Sequence, residues 1–188
     1  MAKDRKIDLV ILGLLAHDDL TGYDIKKRID GAISFFWKGS FGSIYPALSA
    51  MEKDGLVTMR KAMDSGRREK IFYHITEQGT ETLKFWLKEE PAANDLKYET
   101  LLKLYFGGVE SKDVTIRNIE VFEEQVRKDL AVLQTYKENL EKVLDQNDHL
   151  YYYLTVTFGM ETYEAYLKWC DQAKTMLKSY DGGECNET

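Results

Sequence analysis

Between residues 7 and 87 the chain changes its pattern twice, and that order limits the fold more than any other feature. Three stretches of helical periodicity come first, then two short runs of β-branched and aromatic residues, then helix again. The first helix, over 7–16, is apolar almost all round (Leu9, Val10, Ile11, Leu12, Leu14, Leu15), as suits a helix buried on several sides. His17-Asp18-Asp19-Leu20 ends it. Thr21 is a good N-cap for the second helix, with Asp24 in the place of a capping-box acid. Ile25 and Ile29 point inward there, Lys26, Lys27 and Arg28 largely outward. Gly31 ends or weakens this helix, and Phe35-Phe36-Trp37 follows as an aromatic anchor.

Pro46 lacks an N–H and is cheap only in a first turn, so Ser43 suits the cap of the third helix better than Ser40. Ile44, Ala47, Leu48 and Met51 form its apolar face and Tyr45, Ser49 and Lys53 the opposite one. Gly55 is the expected C-terminal glycine. Residues 56–63 and 70–75 read as a hairpin around Asp64-Ser65-Gly66-Arg67-Arg68. Thr76 caps a fourth helix through Leu83, Phe85, Trp86 and Leu87.

A break falls at Glu89-Glu90-Pro91-Ala92-Ala93-Asn94, where proline disfavours helix at the preceding residue. Beyond it the chain reads as helix throughout. A short helix over 96–106 closes at Gly107-Gly108, and Ser111 caps a long one. There Ile119, Phe122, Val126, Leu130, Leu133, Leu140 and Leu144 recur at intervals of three, four or seven. After Asn147-Asp148 a second stripe holds Tyr151, Leu154, Phe158, Ala165, Tyr166, Trp169, Ala173, Met176 and Leu177. An isolated pair of such helices leaves apolar surface in water, and a second copy of the chain is the simplest cover. The expected dimer contacts are Ile119, Phe122, Val126, Leu130, Leu133, Leu154, Phe158 and Trp169. The fold class is therefore mainly α with a small β-hairpin. Residues 1–90 are expected to form a winged helix-turn-helix, 91–181 a helical dimerisation domain that is also the candidate effector domain, and 182–188 a flexible tail.

The net charge of −6 argues at first sight against a nucleic-acid partner. It is unevenly spread: residues 1–88 hold 15 Lys+Arg against 12 Asp+Glu, and 89–188 hold 11 against 20. The first module is thus mildly basic and the second carries the acidity. A helix fits the major groove and reads base edges with its N-terminal side chains. Ser40, Ser43, Tyr45, Pro46 and Ser49 open the third helix and are the candidate groove residues. Arg67, Arg68 and Lys70 at the hairpin tip suit phosphates or a narrow minor groove. Tyr23, Lys26 and Lys27 on the second helix are placed for the flanking backbone. Taken singly, Lys26, Lys27 and Arg28 also fit a solvated helix face, and Tyr45 a half-buried ring; the order along the chain favours DNA.

These residues also carry a family resemblance. Leu20-Thr21-Gly22-Tyr23-Asp24-Ile25, the stretch from Phe36-Trp37 through Gly42-Ser43-Ile44-Tyr45-Pro46-Ala47-Leu48, and Met51-Glu52-Lys53-Asp54-Gly55-Leu56-Val57 resemble the PadR family. So does the run from Gly66-Arg67-Arg68 to Ile75-Thr76-Glu77-Gln78-Gly79. The helical second half is similar to the larger PadR subgroup, whose C-terminal domain is shared with virulence-activator-type regulators. The resemblance implies a homodimer built by the C-terminal helices, with third helices and wings on successive major grooves of a palindromic operator. It also implies repression that ends when a small, often aromatic, molecule binds. Phenolic-acid sensors of the family often enter the third helix through His and Gln, where this chain has Ser40-Phe41-Gly42-Ser43. The resemblance thus bears on DNA binding more than on a particular ligand.

Trp37, Trp86, Tyr152 and Tyr163 are the ring-bearing candidates for a planar effector near the module junction. Aromatic residues of the second half equally suit a dimer core. No enzyme, cofactor or metal site is expected. His17, His74 and His149 are far apart in sequence, Cys170 and Cys185 lack zinc spacing, and no phosphate-cradling glycine loop or nucleophile elbow occurs. No apolar run is long enough for a bilayer and no signal-peptide core opens the chain, so a cytoplasmic location is expected. The alternative function is a protein–protein adaptor using the winged-helix surface without DNA.

Overall fold

The computed structural model describes residues 6–37, 44–63, 69–92, 97–145 and 148–180. The fold is mainly α with one small antiparallel sheet, and the chain divides into two compact units between Ala93 and Asn94. Among the described residues no helix is long and apolar enough to cross a membrane.

In the first unit α1 (Lys6–Leu15), β1 (Leu20–Thr21), α2 (Gly22–Asp30) and α3 (Ile44–Lys53) are followed by β2 (Val57–Met63), β3 (Glu69–Ile75) and α4 (Glu77–Leu87). Ile11 and Leu12, Ile25 and Ile29, and Ile44, Leu48 and Met51 bring one buried stripe from each of α1, α2 and α3 into a common core. Val57 and Ile75, paired across the hairpin, close it from below. Each such side chain gains roughly 1.5–3 kcal/mol from leaving water.

Thr21 starts α2 with a full capping box: the Asp24 N–H donates to its hydroxyl oxygen (3.2 Å), and its own N–H donates to the Asp24 carboxylate (3.2 Å). The same Thr21 ends β1, a two-residue strand opposite Phe72 of β3. The hairpin is therefore a three-stranded sheet in the order β1-β3-β2, one strand more than the sequence suggests. Two residues leave no periodic signal, and here the strand is made by the edge it pairs with.

Gly55 has φ +72°, the left-handed conformation that lets α3 turn directly into β2. The fourth helix begins where Thr76 accepts from the Gly79 N–H (3.0 Å). Its hydroxyl also lies 2.7 Å from the Gly55 carbonyl, so one residue joins the α3–β2 turn to α4.

The second unit holds α5 (Glu99–Tyr105), a 3₁₀ turn (Gly107–Val109), α6 (Lys112–Leu140) and α7 (His149–Ser179). The short helix starts at Glu99, later than position 96, and Leu96 lies outside the described residues. Ser111 stands at the N-cap of α6 without a side-chain cap bond. Glu123 meets Lys174 and Glu141 meets Tyr153, so α6 and α7 run antiparallel. At 29 and 31 residues, each is about 45 Å long.

The side of α7 that packs inward matches the expected stripe in part: Tyr166, Trp169, Ala173 and Leu177 are half-buried. Val156 and Cys170 are buried and Gly159 lies against Leu133, whereas Tyr151, Leu154, Phe158 and Met176 are exposed. This helix is apolar on more than one side, so periodicity alone selects no face. The small residues decide it, because they let α6 approach.

Candidate nucleic-acid interface

The buried face of α3 fixes what its other face presents. With Ile44, Ala47, Leu48 and Met51 held in the core, Tyr45, Pro46, Ser49 and Lys53 are exposed on the opposite side. Tyr45 is 63% exposed and Tyr23, in the first turn of α2, 69%. Both side chains are largely exposed, and the Tyr45 ring keeps one edge against Gly22 at the start of α2.

Lys26, Lys27 and Arg28 are exposed on α2, but they differ in availability. Lys26 is paired with Asp30 one turn on, and Arg28 donates to Asp18 at 2.7 Å. Lys27 has no carboxylate partner among the described residues. Lys70 is exposed at the start of β3, and its charge reaches Asp24. The Asp24 carboxyl is held below its ordinary value first by the hydrogen bond from the Thr21 hydroxyl, with Lys70 and Arg28 adding to the effect. Burial pushes the Tyr73 hydroxyl up, helped by nearby Glu52 and Tyr45. Ser40 and Ser43 at the entry to α3, and Arg67 and Arg68 at the hairpin tip, lie outside the described residues.

The outer face of the sheet adds residues that the sequence reading did not single out. Asp19 pairs with His74 of β3 at 2.8 Å and with Arg60 of β2 at 3.5 Å, while the Arg60 guanidinium lies 5.9 Å from the Phe72 ring centre. Strand alternation puts Arg60 and His74 on one face; their shared carboxylate comes from a loop far away in sequence. Exposed pairs of this kind are worth ~0–1 kcal/mol each.

Among the ring-bearing candidates, Trp37 and Trp86 belong to the first unit and Tyr152 and Tyr163 to the second. Lys6 sits 5.7 Å from the Trp86 ring centre. Tyr152 and Tyr163 are eleven positions apart on α7, about 16 Å along the axis, too far to line one small pocket together. Tyr163 instead enters an aromatic cluster. Its ring is 5.9 Å from Tyr166, which is 5.8 Å from both Tyr98 and Phe122, and Phe122 is 6.4 Å from Trp169. Burial pushes the Tyr163 hydroxyl up to about 12. Burial, and then the hydrogen bond with Tyr98, raises Tyr166 as well.

The expected dimer residues separate into three groups. Ile119, Val126 and Leu133 are buried within the chain itself and offer a partner no surface, a correction that follows from the face α6 turns to α7. Phe122, Leu130 and Trp169 are half-buried. Leu154 and Phe158 are exposed. Among the described residues no group of His, Cys, Asp and Glu side chains is placed to hold a metal ion.

Residues 11–85 match the Transcriptional regulator PadR-like family, and residues 96–178 match Virulence activator alpha C-term. The chain is 28% identical to the negative transcriptional regulator PadR of Bacillus subtilis, over 92% of this chain and 98% of that one. The crystal structure of Bacillus subtilis PadR in complex with operator DNA is similar at a TM-score of 0.82 and 27% identity, covering 93% of this chain and 99% of that one. The same regulator in complex with p-coumaric acid is similar at 0.74 and 26% identity, covering 93% and 100%.

Proposed function

The chain belongs to the PadR-like family of transcriptional regulators, and from that premise we propose that it is a sequence-specific DNA-binding repressor acting as a homodimer on palindromic operators. The family is one of regulators, not of enzymes. The observation that carries the proposal is the outward side of α3, where Tyr45, Pro46 and Ser49 are exposed over a fully buried opposite face. A rigid helix with a free polar side, next to a hairpin wing, is suited to the major groove. Tyr45, Pro46 and Ser49 would face base edges together with Ser40 and Ser43. Tyr23, Lys26, Lys27 and Lys70 would hold phosphates, with Arg67 and Arg68 at the wing tip.

In this reading residues 1–90 bind DNA and residues 91–181 dimerise and receive the effector, in the cytoplasm. The dimer is supported by exposed apolar side chains on α6 and α7, among them Val121, Leu154 and Phe158. A small aromatic effector that releases the DNA is supported by the relative crystallised with p-coumaric acid and by the ring cluster around Tyr166.

The test is selection of duplexes from a randomised pool by the full-length protein, followed by binding at increasing salt. A palindrome with half-sites about one helical turn apart is expected, with affinity falling steeply as salt rises. Lys27→Ala should weaken binding to all sequences alike and lower the salt slope by about one. Enrichment of no sequence, or affinity insensitive to salt, would reject DNA binding.

A further inference from the structure

We propose that Gly22 is a specificity-determining positioning residue: its missing side chain is what lets the Tyr45 ring of α3 lie against the start of α2. A Cβ placed on Gly22 would fall 2.6 Å from Cε1 and 3.1 Å from Cζ of Tyr45. The first distance is far inside carbon–carbon contact, so ring and side chain cannot share that space.

Backbone conformation does not explain this glycine. Among the described residues Gly55 is the glycine with positive φ, and Gly22 is an ordinary first residue of α2. Alanine is the better helix former, so α2 by itself would favour a side chain there. The ring does explain it. The start of α2 is fixed by the Thr21–Asp24 capping box and by the pairing of Thr21 with Phe72. The start of α3 is fixed by buried Ile44, Ala47 and Leu48. Between two elements anchored in this way, the largely exposed Tyr45 ring gives way most easily.

A methyl group at Gly22 should therefore leave the fold intact and swing the hydroxyl end of Tyr45 off its place. This makes Gly22→Ala a selective probe of where Tyr45 points. The proposal rests on the DNA-binding reading above, which gives that position its meaning.

Two measurements on the full-length protein test it. In 3-fluorotyrosine-labelled protein, Gly22→Ala should shift the ¹⁹F line of Tyr45, assigned with Tyr45→Phe, and leave the tyrosines of the second unit in place, with thermal stability unchanged or raised. An unmoved Tyr45 line overturns the proposal whatever the DNA result. On the duplex selected by the wild-type protein, Gly22→Ala should lower affinity about tenfold, the size of one lost directional contact, and flatten the sequence preference. In a Tyr45→Ala background the same substitution should add nothing. An equal loss in both backgrounds would show that Gly22 acts by another route. Wild-type protein that selects no duplex would reject DNA binding and the specificity role with it, while a shifted line would still establish the packing of ring on glycine.

Discussion

Two other glycines show how differently the same substitution acts from place to place. A Cβ on Gly79 would lie 2.2 Å from the Leu56 carbonyl oxygen and 2.9 Å from an Ile75 side-chain carbon. The first neighbour is backbone at the α3–β2 turn, which Thr76 also holds, so α4 itself would have to move. Gly79→Ala is expected to cost about 3 kcal/mol, at the upper end of overpacking effects. A Cβ on Gly13, in the middle of α1, meets nothing within 4 Å. Gly13→Ala should stabilise by up to ~1 kcal/mol through helix propensity. Urea unfolding of the two variants beside the parent checks both signs, and loss of stability in Gly13→Ala would contradict the open space there.

At the scale of elements, the α6–α7 pair is pinned by a nearly buried carboxylate. Glu123 of α6 accepts from Lys174 of α7 and from Arg127 one turn along at 2.5 Å. These bonds, Lys174 first, hold its carboxyl below the ordinary 4.5 despite a burial effect that raises it. A carboxyl more acidic in the folded than in the unfolded chain adds stability above its unfolded value and loses it as pH falls through the folded one. Glu123→Gln should therefore be less stable than the parent at pH 7, and the gap should close as pH is taken from 4.5 downward. Denaturant midpoints at several pH values measure it; a gap constant with pH would remove the ionised carboxylate from the account.

Helices α1 to α4 and the hairpin were legible in the sequence because their signals are local. Thr21 with Asp24, Pro46, Gly55 and the capping of Gly79 by Thr76 each act within a few residues. The face α7 turns inward was legible in its second half, at Tyr166 and Trp169, but not in its first, where Leu133 fits against Gly159, 26 positions away. The site follows the same division. Tyr45 and Ser49 could be assigned outward once the buried stripe of α3 was recognised. The seat of Tyr45 on Gly22 and the double pairing of Asp19 needed three dimensions, because each joins elements separated in sequence.

For the whole molecule, the proposed dimer places one demand on the exposed apolar side chains of the second unit. Phe158 is 69% exposed, and Leu154, one turn before it, is also exposed. Single exposed apolar residues are common, whereas two adjacent on one helix form a patch that a second chain would cover. Phe158→Glu is expected to yield a folded monomer in sedimentation and to abolish tight binding to a two-half-site duplex. A variant that stays dimeric would place the interface elsewhere.

Thr21 closes β1 against Phe72 and, through the same residue, opens α2. A strand end and a helix start that share one residue are coupled in opening. Breathing of the wing stem and fraying of the first turn of α2 should be one event, with a single opening free energy. In native-state amide exchange, the protons of Asp24 and of β3 around Phe72 should reach solvent together and slow together when DNA binds.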